Sequence, residues 1–433
     1  MIASARTLLW LTLLGVACAA PPDLSGRHTL PELEPGDSDA ALGYEEPPRF
    51  LGREVLPDVL RVGPHHRVTD PVTSDGFLHV FVVASDFGRF EVAGDAMLRQ
   101  RLGEITALAA LRGAARNTAF APALERAAQR PFVARWNLAR EPSSSALGMP
   151  DEAWRELLAI DAKARAERGE DESGALATYL RFERARRRLA ERLEVDDHAR
   201  NPALQRELNR VALAMFAGGF PLSRVPLPEG APPSSHRPFA AEDARLASLL
   251  SDDTAEDLRR VDRIELAVLG IPPELAARAL EHAWLTPRHL TILVASLVAM
   301  DGAANRRALV EAAVNARSET DALVYQRIAE MLRAVHEHAA KIARLDSGGR
   351  FVRATLVDGR RITPVEVDRL IWTRALERLV ANAADPAADS FGELWLSGSA
   401  SPRARTELAA RGFVVVERAF ERFERLEARR ASP

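Results

Sequence analysis

An acidic pair followed by a histidine, Asp196, Asp197 and His198, is the most plausible catalytic group in the sequence. Carboxylate and imidazole groups in one turn can act as general acid and general base, which makes a hydrolytic site conceivable here. The alternative is structural, because aspartate and asparagine are also the usual turn and capping residues. Asn201 and Pro202, which follow directly, are typical of the start of a helix.

The remaining histidines lack the spacing of a metal site. His336 and His338 are two positions apart in a predicted helix, whereas ligands on one helical face are three or four apart. The other close pairs lack a third ligand or are separated by a proline: His65 with His66, and His282 with His289. We therefore predict no metal ligand and no cofactor.

No catalytic motif is present elsewhere in the sequence. The serine-rich segment 397–401 does not have the G-x-S-x-G pattern of a nucleophile elbow. We find no P-loop, no dinucleotide fingerprint and no calcium loop. The 58 basic and 61 acidic side chains give a formal net charge of −3, which argues against a nucleic-acid partner.

Residues 1–20 have the layout of a secretory signal peptide, with Arg6 before the apolar run Leu8–Ala17 and small residues after it. The chain's single cysteine, Cys18, follows Gly15-Val16-Ala17 and is similar to the lipidated cysteine of a bacterial lipobox. Cleavage after Ala19 or Ala20 is the alternative. Lipidation predicts a periplasmic or outer-membrane-anchored protein that contacts the membrane through Cys18 and an envelope protein as a further partner.

The rest of the chain predicts a mainly α-helical fold with small β-hairpins near both ends and a small C-terminal α/β element. A hairpin is predicted from Phe77–Ser85 and Arg89–Val92, and a long helix from Thr320 to Leu345. Thr363 to Glu366 has the pattern of a helix capping box. The expected organisation is a signal peptide at 1–20, a tether at 21–50, a hairpin with helices at 51–218, a Pro-rich linker at 219–237, a helical core at 238–349 and an α+β element at 350–433.

The segment 193–219, LEVDDHARNPALQRELNRVALAMFAGG, resembles a stretch that recurs in uncharacterised bacterial exported proteins and lipoproteins. That stretch reads roughly L-x-V-D-P-Y-T-x-N-x-x-L-Q-x-x-L and ends in a glycine pair. Segments 90–111 and 401–413 are also similar to parts of such proteins. The residues that match the pattern are Asp196, Asn201, Leu204, Gln205 and Leu208. The resemblance implies an exported family of unknown function and supplies no catalytic residue.

Three hypotheses for function follow. The first is a lipid-anchored envelope protein that acts as a scaffold or interaction module, which fits the signal peptide, Cys18 and the absence of motifs. The second is an exported hydrolase whose site is assembled from distant residues. The third is a small-molecule or lipid carrier with a cavity beside the apolar segment Leu290–Met300. The sequence leaves open whether the protein is an enzyme.

Overall fold

The computed structural model describes residues 43–129, 172–230, 244–348, 351–383 and 392–431. The predicted signal peptide with Cys18, tether residues 21–42 and linker residues 231–237 lie outside this part of the chain. A search of the described residues finds no helix that is long and apolar enough to cross a membrane.

The prediction of a mainly α-helical fold is wrong. About 54% of the described residues are helical and 18% form strands, in sheets of four, five and two strands, so the fold is mixed α and β. The predicted helix over 320–345 is α-helical only to Ala334 and continues as a π-helical turn over Val335–Ala339, and Ile342–Gly348 forms an edge strand instead. Pairing of that strand with its neighbour outweighs a local sequence that favours helix, because propensity is a weak preference that tertiary contacts override.

The N-terminal part contains a four-stranded antiparallel sheet of consecutive strands. The predicted hairpin is confirmed as its last two strands, whereas no strand was predicted for the first two. A long helix follows, and its buried face packs Leu98, Leu102 and Ile105 against Phe81 and Val83 of the sheet. The elements are α1 Gly52–Val55, α2 Asp58–Arg61, β1 Val62–Gly63, β2 His66–Ser74, β3 His79–Ser85, β4 Gly88–Ala93 and α3 Asp95–Ala115.

The middle of the chain is helical, as predicted. The Asn201 side chain caps one helix by accepting hydrogen bonds from the N–H groups of Ala203 and Leu204, and Gly219 ends it in the left-handed conformation that glycine adopts readily. The apolar segment at 290–300 lies in a core helix, with Leu293 and Leu297 fully buried. The helices are α4 Phe120–Ala128, α5 Glu172–Arg192, α6 Pro202–Gly218, α7 Ala244–Asp252, α8 Ala255–Val268, α9 Pro273–Leu280, α10 Pro287–Ala299, α11 Arg307–Ala313 and α12 Glu319–Ala334.

The C-terminal part is built on a five-stranded mixed sheet, larger than the small α/β element that was predicted. Its strand order is β11-β9-β7-β6-β5. The central strand of the parallel part, β9, pairs in parallel with β7 on one side and with β11 on the other. The elements are β5 Ile342–Gly348, β6 Phe351–Leu356, β7 Arg361–Val365, β8 Arg369–Leu370, α13 Arg374–Ala383, β9 Gly392–Leu396, β10 Ser399–Ala400, α14 Pro402–Ala410, β11 Phe413–Val416 and α15 Ala419–Ala431.

The capping box predicted at 363–366 does not form. Thr363 and Val365 belong to strand β7, and the next helix begins at Arg374. Four of the five residues of β7 are buried, so pairing on both sides and burial stabilise the strand more than a cap would stabilise a helix there. Glu366 therefore follows a strand end and is available for a different contact.

Backbone hydrogen bonds connect the start of the four-stranded sheet to the segment that follows β7 and contains β8. The carbonyl oxygen of Phe77, just before β3, accepts from the N–H groups of Asp368 and Arg369 at 3.0 and 3.1 Å. The N–H of Ile371 donates to the carbonyl of Gly76 at 2.9 Å. These bonds fix the start of β3 beside the carboxyl ends of the parallel strands.

Candidate functional site

A cleft of about 760 Å³ lies where the three parallel strands end. β7 continues into Glu366, β9 continues into Ser397, and β11 is followed by Arg418, and all three residues line the cleft. The crevice outside the carboxyl ends of parallel strands is where open α/β sheets usually bind their ligands. His79 and Asp95 line the facing wall.

Three side chains that can bind a metal ion converge in this cleft. Nδ1 of His79 lies 3.2 Å from Oδ1 of Asp95 and 3.8 Å from Oδ2 of Asp368. One ligand atom from each residue lies within 4.8 Å of the others. His79 and Asp368 are almost fully buried, with side chains 8% and 7% exposed, while that of Asp95 is 38% exposed.

Asp368 is held by the backbone on both carboxylate oxygens. The N–H of His79 donates to Oδ2 at 2.7 Å, and the N–H of Asp95 donates to Oδ1 at 3.0 Å. Burial raises the pKa of Asp368 well above its ordinary value, and the charges of Asp95 and Glu366 raise it further, although the two backbone bonds act in the opposite direction. A cation beside this carboxyl group would stabilise its charged form.

Glycine at position 398 permits the close approach that forms one wall of the cleft. A Cβ atom on Gly398 would lie 2.2 Å from the carbonyl oxygen of Asp368 and 2.5 Å from that of Val367. The side chain of Ser397 bridges the same segment, because its hydroxyl donates to the carbonyl of Val367 and accepts from its N–H. The turn after β9 and the segment after β7 therefore form one rigid unit.

The cleft also contains buried polar atoms without a hydrogen-bond partner among the described residues. They are Nε2 of His79, Oε2 of Glu366 and Nε of Arg369. The other oxygen of Glu366 accepts from Nε of Arg327 at 2.6 Å. Buried polar groups are normally paired, so three unpaired atoms around one cleft indicate that its walls are arranged for a polar ligand.

The donor set suits a divalent transition-metal ion. Imidazole and carboxylate groups are ligand types that Zn²⁺ and Mn²⁺ take in proteins, and three protein ligands leave a further position for water. Two ligands at about 2.0–2.2 Å from one ion lie at most about 4.4 Å apart. The two printed separations from Nδ1 of His79, 3.2 Å to Asp95 and 3.8 Å to Asp368, lie within that limit.

The catalytic candidates from the sequence, Asp196, Asp197 and His198, lie elsewhere, in a buried network. Asp197 pairs with Nη1 of Arg187 at 2.6 Å, and Oδ2 of Asp196 accepts from the hydroxyl of Thr286 at 2.9 Å. Nε2 of His198 lies 3.6 Å from Oδ2 of Asp197. Neither aspartate lines the cleft described above.

The positive charges around Asp197 stabilise its ionised form. The pKa of Asp197 lies below its ordinary value because the attraction of Arg187, His198 and Arg186 outweighs the opposing effect of burial. The geometry is that of a buried ion pair that links the end of α5 to the turn before α6. Nothing in these contacts tests a catalytic role for the three residues, which stays a prediction.

The residues of the cleft were missed by the sequence analysis because each was explained locally. Asp95 is the first residue of α3, with Gly94 at the cap position, and its side chain contacts His79. Glu366 was assigned to the capping box. His79 and Asp368 are 289 positions apart, and no local pattern connects them.

No family model, curated protein or solved structure matches this chain.

Proposed function

We propose that the protein is an exported hydrolase that uses a divalent cation held by His79, Asp95 and Asp368. The observation that carries the proposal is the convergence of these three groups at the carboxyl ends of parallel strands. Residues 1–20 support export, and Cys18 supports attachment to the periplasmic or outer-membrane surface. This is the second of the three hypotheses from the sequence, with a different set of site residues.

A cation in this position supplies what hydrolysis needs. Held by His79, Asp95 and Asp368, a cation would lower the pKa of a bound water towards neutrality and polarise the bond to be broken. In the reaction, the water oxygen joins the acyl or phosphoryl centre, the bond to the leaving group breaks, and one water proton ends on the leaving group. Asp95, the most exposed of the three ligands, is suited to contact both cation and water.

The scaffold hypothesis rested partly on the absence of a catalytic motif, and a site assembled from distant segments removes that reason. The carrier hypothesis required a cavity beside 290–300. Leu290, Leu293 and Leu297 pack instead with Met331 and Leu332 in one core cluster. The cleft therefore gives the hydrolase proposal more support than either alternative.

The experiment compares cation binding by Asp95→Asn and Asp86→Asn in the full chain after treatment with a chelator. Asp86 is the matched control, because its carboxylate lies 2.8 Å from Nδ1 of His65 on the same sheet but in an exposed pair. Calorimetric titration with Zn²⁺ and with Mn²⁺ should give one site in the wild type. The affinity should fall at least tenfold in Asp95→Asn and stay unchanged in Asp86→Asn.

Hydrolysis is then measured with chromogenic carboxylic and phosphate esters, with and without the bound cation. Activity that depends on the cation and is lost in Asp95→Asn is the expected result. Equal cation affinity in the wild type and Asp95→Asn would contradict the proposed site. A cation-loaded protein that is inactive on every ester would contradict the hydrolase assignment alone.

A further inference from the structure

The charged residues of the cleft fall into two groups that differ in their pairing. Glu366 pairs with Arg327, and Asp368 is bonded by the two backbone N–H groups. Three arginines that line the cleft have no hydrogen-bond or ion-pair partner for their side chains among the described residues, and these are Arg99, Arg369 and Arg418. The lining therefore combines these three guanidinium groups with five carboxylates, those of Glu54, Asp95, Glu366, Asp368 and Glu421.

Arg369 is the most informative of the three. Its Nε atom is buried and unpaired, and its guanidinium carbon lies 5.7 Å from the centre of the Phe50 ring. Its backbone N–H donates to the carbonyl of Phe77, which fixes the residue beside Asp368. A guanidinium that is partly removed from water without a carboxylate partner is costly unless a ligand anion supplies one.

Arg418 is held in a backbone conformation that side chains other than glycine rarely adopt. Its φ is 53°, in the left-handed region, and its N–H donates to the carbonyl of Gly398 at 2.8 Å. Strained residues of this kind concentrate at functional sites, where the surrounding structure holds them in place. The sequence thus has an arginine, rather than a glycine, at a left-handed position in the cleft lining.

We propose that the substrate is a phosphate ester whose phosphoryl group is held by Arg369, together with Arg99 and Arg418, in the cleft that contains His79, Asp95 and Asp368. This inference rests on the proposed function and specifies its substrate class. Arginine suits this ligand because its planar donors form paired hydrogen bonds to phosphate oxygens. Arginines and a cation together neutralise the charge that develops on a phosphoryl group during its transfer to water.

The reaction balances without any further reactant. The oxygen of one water forms a bond to phosphorus while the bond from phosphorus to the ester oxygen breaks. One water proton ends on the released alcohol and the other on the released phosphate. Binding of the anion by the arginines does not itself require the cation, so the two parts of the site can be measured separately.

The experiment titrates inorganic phosphate into the full chain in the presence of EDTA and compares Arg369→Gln with Arg89→Gln. Arg89 is an exposed arginine on strand β4 and does not line the cleft. We expect the wild type and Arg89→Gln to bind one phosphate with equal affinity. Arg369→Gln should bind at least tenfold more weakly while keeping its thermal unfolding temperature within about 3 °C.

A second variant covers the possibility that Arg369→Gln folds poorly. Arg418→Gly removes the guanidinium and relieves the left-handed backbone, so it should weaken phosphate binding without loss of stability. Wild-type protein that does not bind phosphate, or two folded variants that bind it as well as the wild type does, would overturn the inference.

The outcome separates this inference from the proposed function. Phosphate binding without hydrolysis of any ester would contradict the hydrolase assignment but not the anion site. Cation-dependent hydrolysis of a carboxylic ester by a protein that does not bind phosphate would overturn the inference alone.

Discussion

The N–H of His79 donates a 2.7 Å hydrogen bond to the carboxylate of Asp368, a residue 289 positions later in the chain. The second oxygen of the same carboxylate accepts from the N–H of Asp95. One aspartate thus fastens the N-terminal sheet to the segment after β7 and at the same time presents a ligand to the cleft.

The variant Asp368→Asn should lose both functions. An amide provides one acceptor oxygen for two N–H donors, so one backbone bond is lost and its donor faces the NH₂ group. We expect a destabilisation of about 1–3 kcal/mol, because that is the typical cost of leaving a buried N–H group without an acceptor. Urea unfolding measures it. The variant Asp95→Asn keeps both backbone bonds and should remain close to wild-type stability, and a stable Asp368→Asn protein would contradict the fastening role.

Substitution of Gly398 by alanine should open the wall of the cleft. The new Cβ would lie 2.2 Å from the Asp368 carbonyl oxygen, so backbone must move, at a cost of about 1–3 kcal/mol. Cation affinity should fall as well. The control is Gly103→Ala in α3, where a Cβ meets nothing within 4 Å and alanine should stabilise the helix by about 0.5–1 kcal/mol. The free energy of unfolding should therefore fall in Gly398→Ala and rise in Gly103→Ala, each relative to the wild type.

Asp262, which does not line the cleft, should make the free energy of unfolding depend on pH. Burial raises its pKa to about 7 from 3.8, against the opposing effect of the hydrogen bond from Thr291. Between these two values the folded state keeps a proton that the unfolded state has released. The stabilisation from this proton is full below pH 3.8 and is lost as the pH rises through 7. The variant Asp262→Asn should be more stable than the wild type at pH 8 by up to ~4 kcal/mol and similar at pH 4.

The measurement is urea unfolding of the wild type and Asp262→Asn at several values between pH 4 and pH 8. Asp301→Asn, which changes an exposed aspartate, is the control and should follow the wild-type curve. A constant difference between the wild type and Asp262→Asn across this range would show that the carboxyl group does not titrate there.

Asp197→Ala should unfold the protein more readily, because it leaves Arg187 buried without its partner. Breaking a buried ion pair on one side typically costs about 3–5 kcal/mol. The double variant Arg187→Met with Asp197→Leu removes both charges and should recover most of that loss. If Asp197→Ala were instead stable and unable to hydrolyse an ester that the wild type cleaves, the catalytic prediction from the sequence would gain support.

Cys18→Ala tests the predicted membrane anchor. We expect wild-type protein expressed in bacteria to incorporate a radioactive fatty acid and to sediment with membranes. Both properties should be absent in the variant, because stable attachment requires the acyl chains. An unlabelled wild-type protein in the soluble fraction would contradict lipidation and favour simple secretion.

The sequence predicted features that depend on neighbouring residues better than features that depend on contacts between distant segments. Asn201 and Gly219 delimit α6 as their types predict, because capping depends on residues within one turn. The pattern at Thr363–Glu366 is equally local, yet the structure contradicts it. The buried position of β7 between β6 and β9 decides its conformation, and the sequence near Thr363 does not contain that information.

Dependence on distant contacts also explains why the residues of the cleft were not predicted together. His79 was recognised as part of a predicted strand, Glu366 as part of a predicted capping box and segment 397–401 as serine-rich without a nucleophile-elbow pattern. Each interpretation concerns one backbone segment. What makes them a site is the packing of one sheet against the end of another. No local pattern contains that packing, and the acidic-histidine segment Asp196–His198 lies in an ion-pair network instead.

The residues that line the cleft are synthesised at very different times during translation. Glu54 and His79 leave the ribosome early, whereas Arg418 and Glu421 emerge more than three hundred residues later. The nascent chain consequently carries no complete site during most of its production. A chain interrupted before Arg418 would lack part of the cleft wall, so the complete cleft forms only when almost all of the described chain has been synthesised and folded.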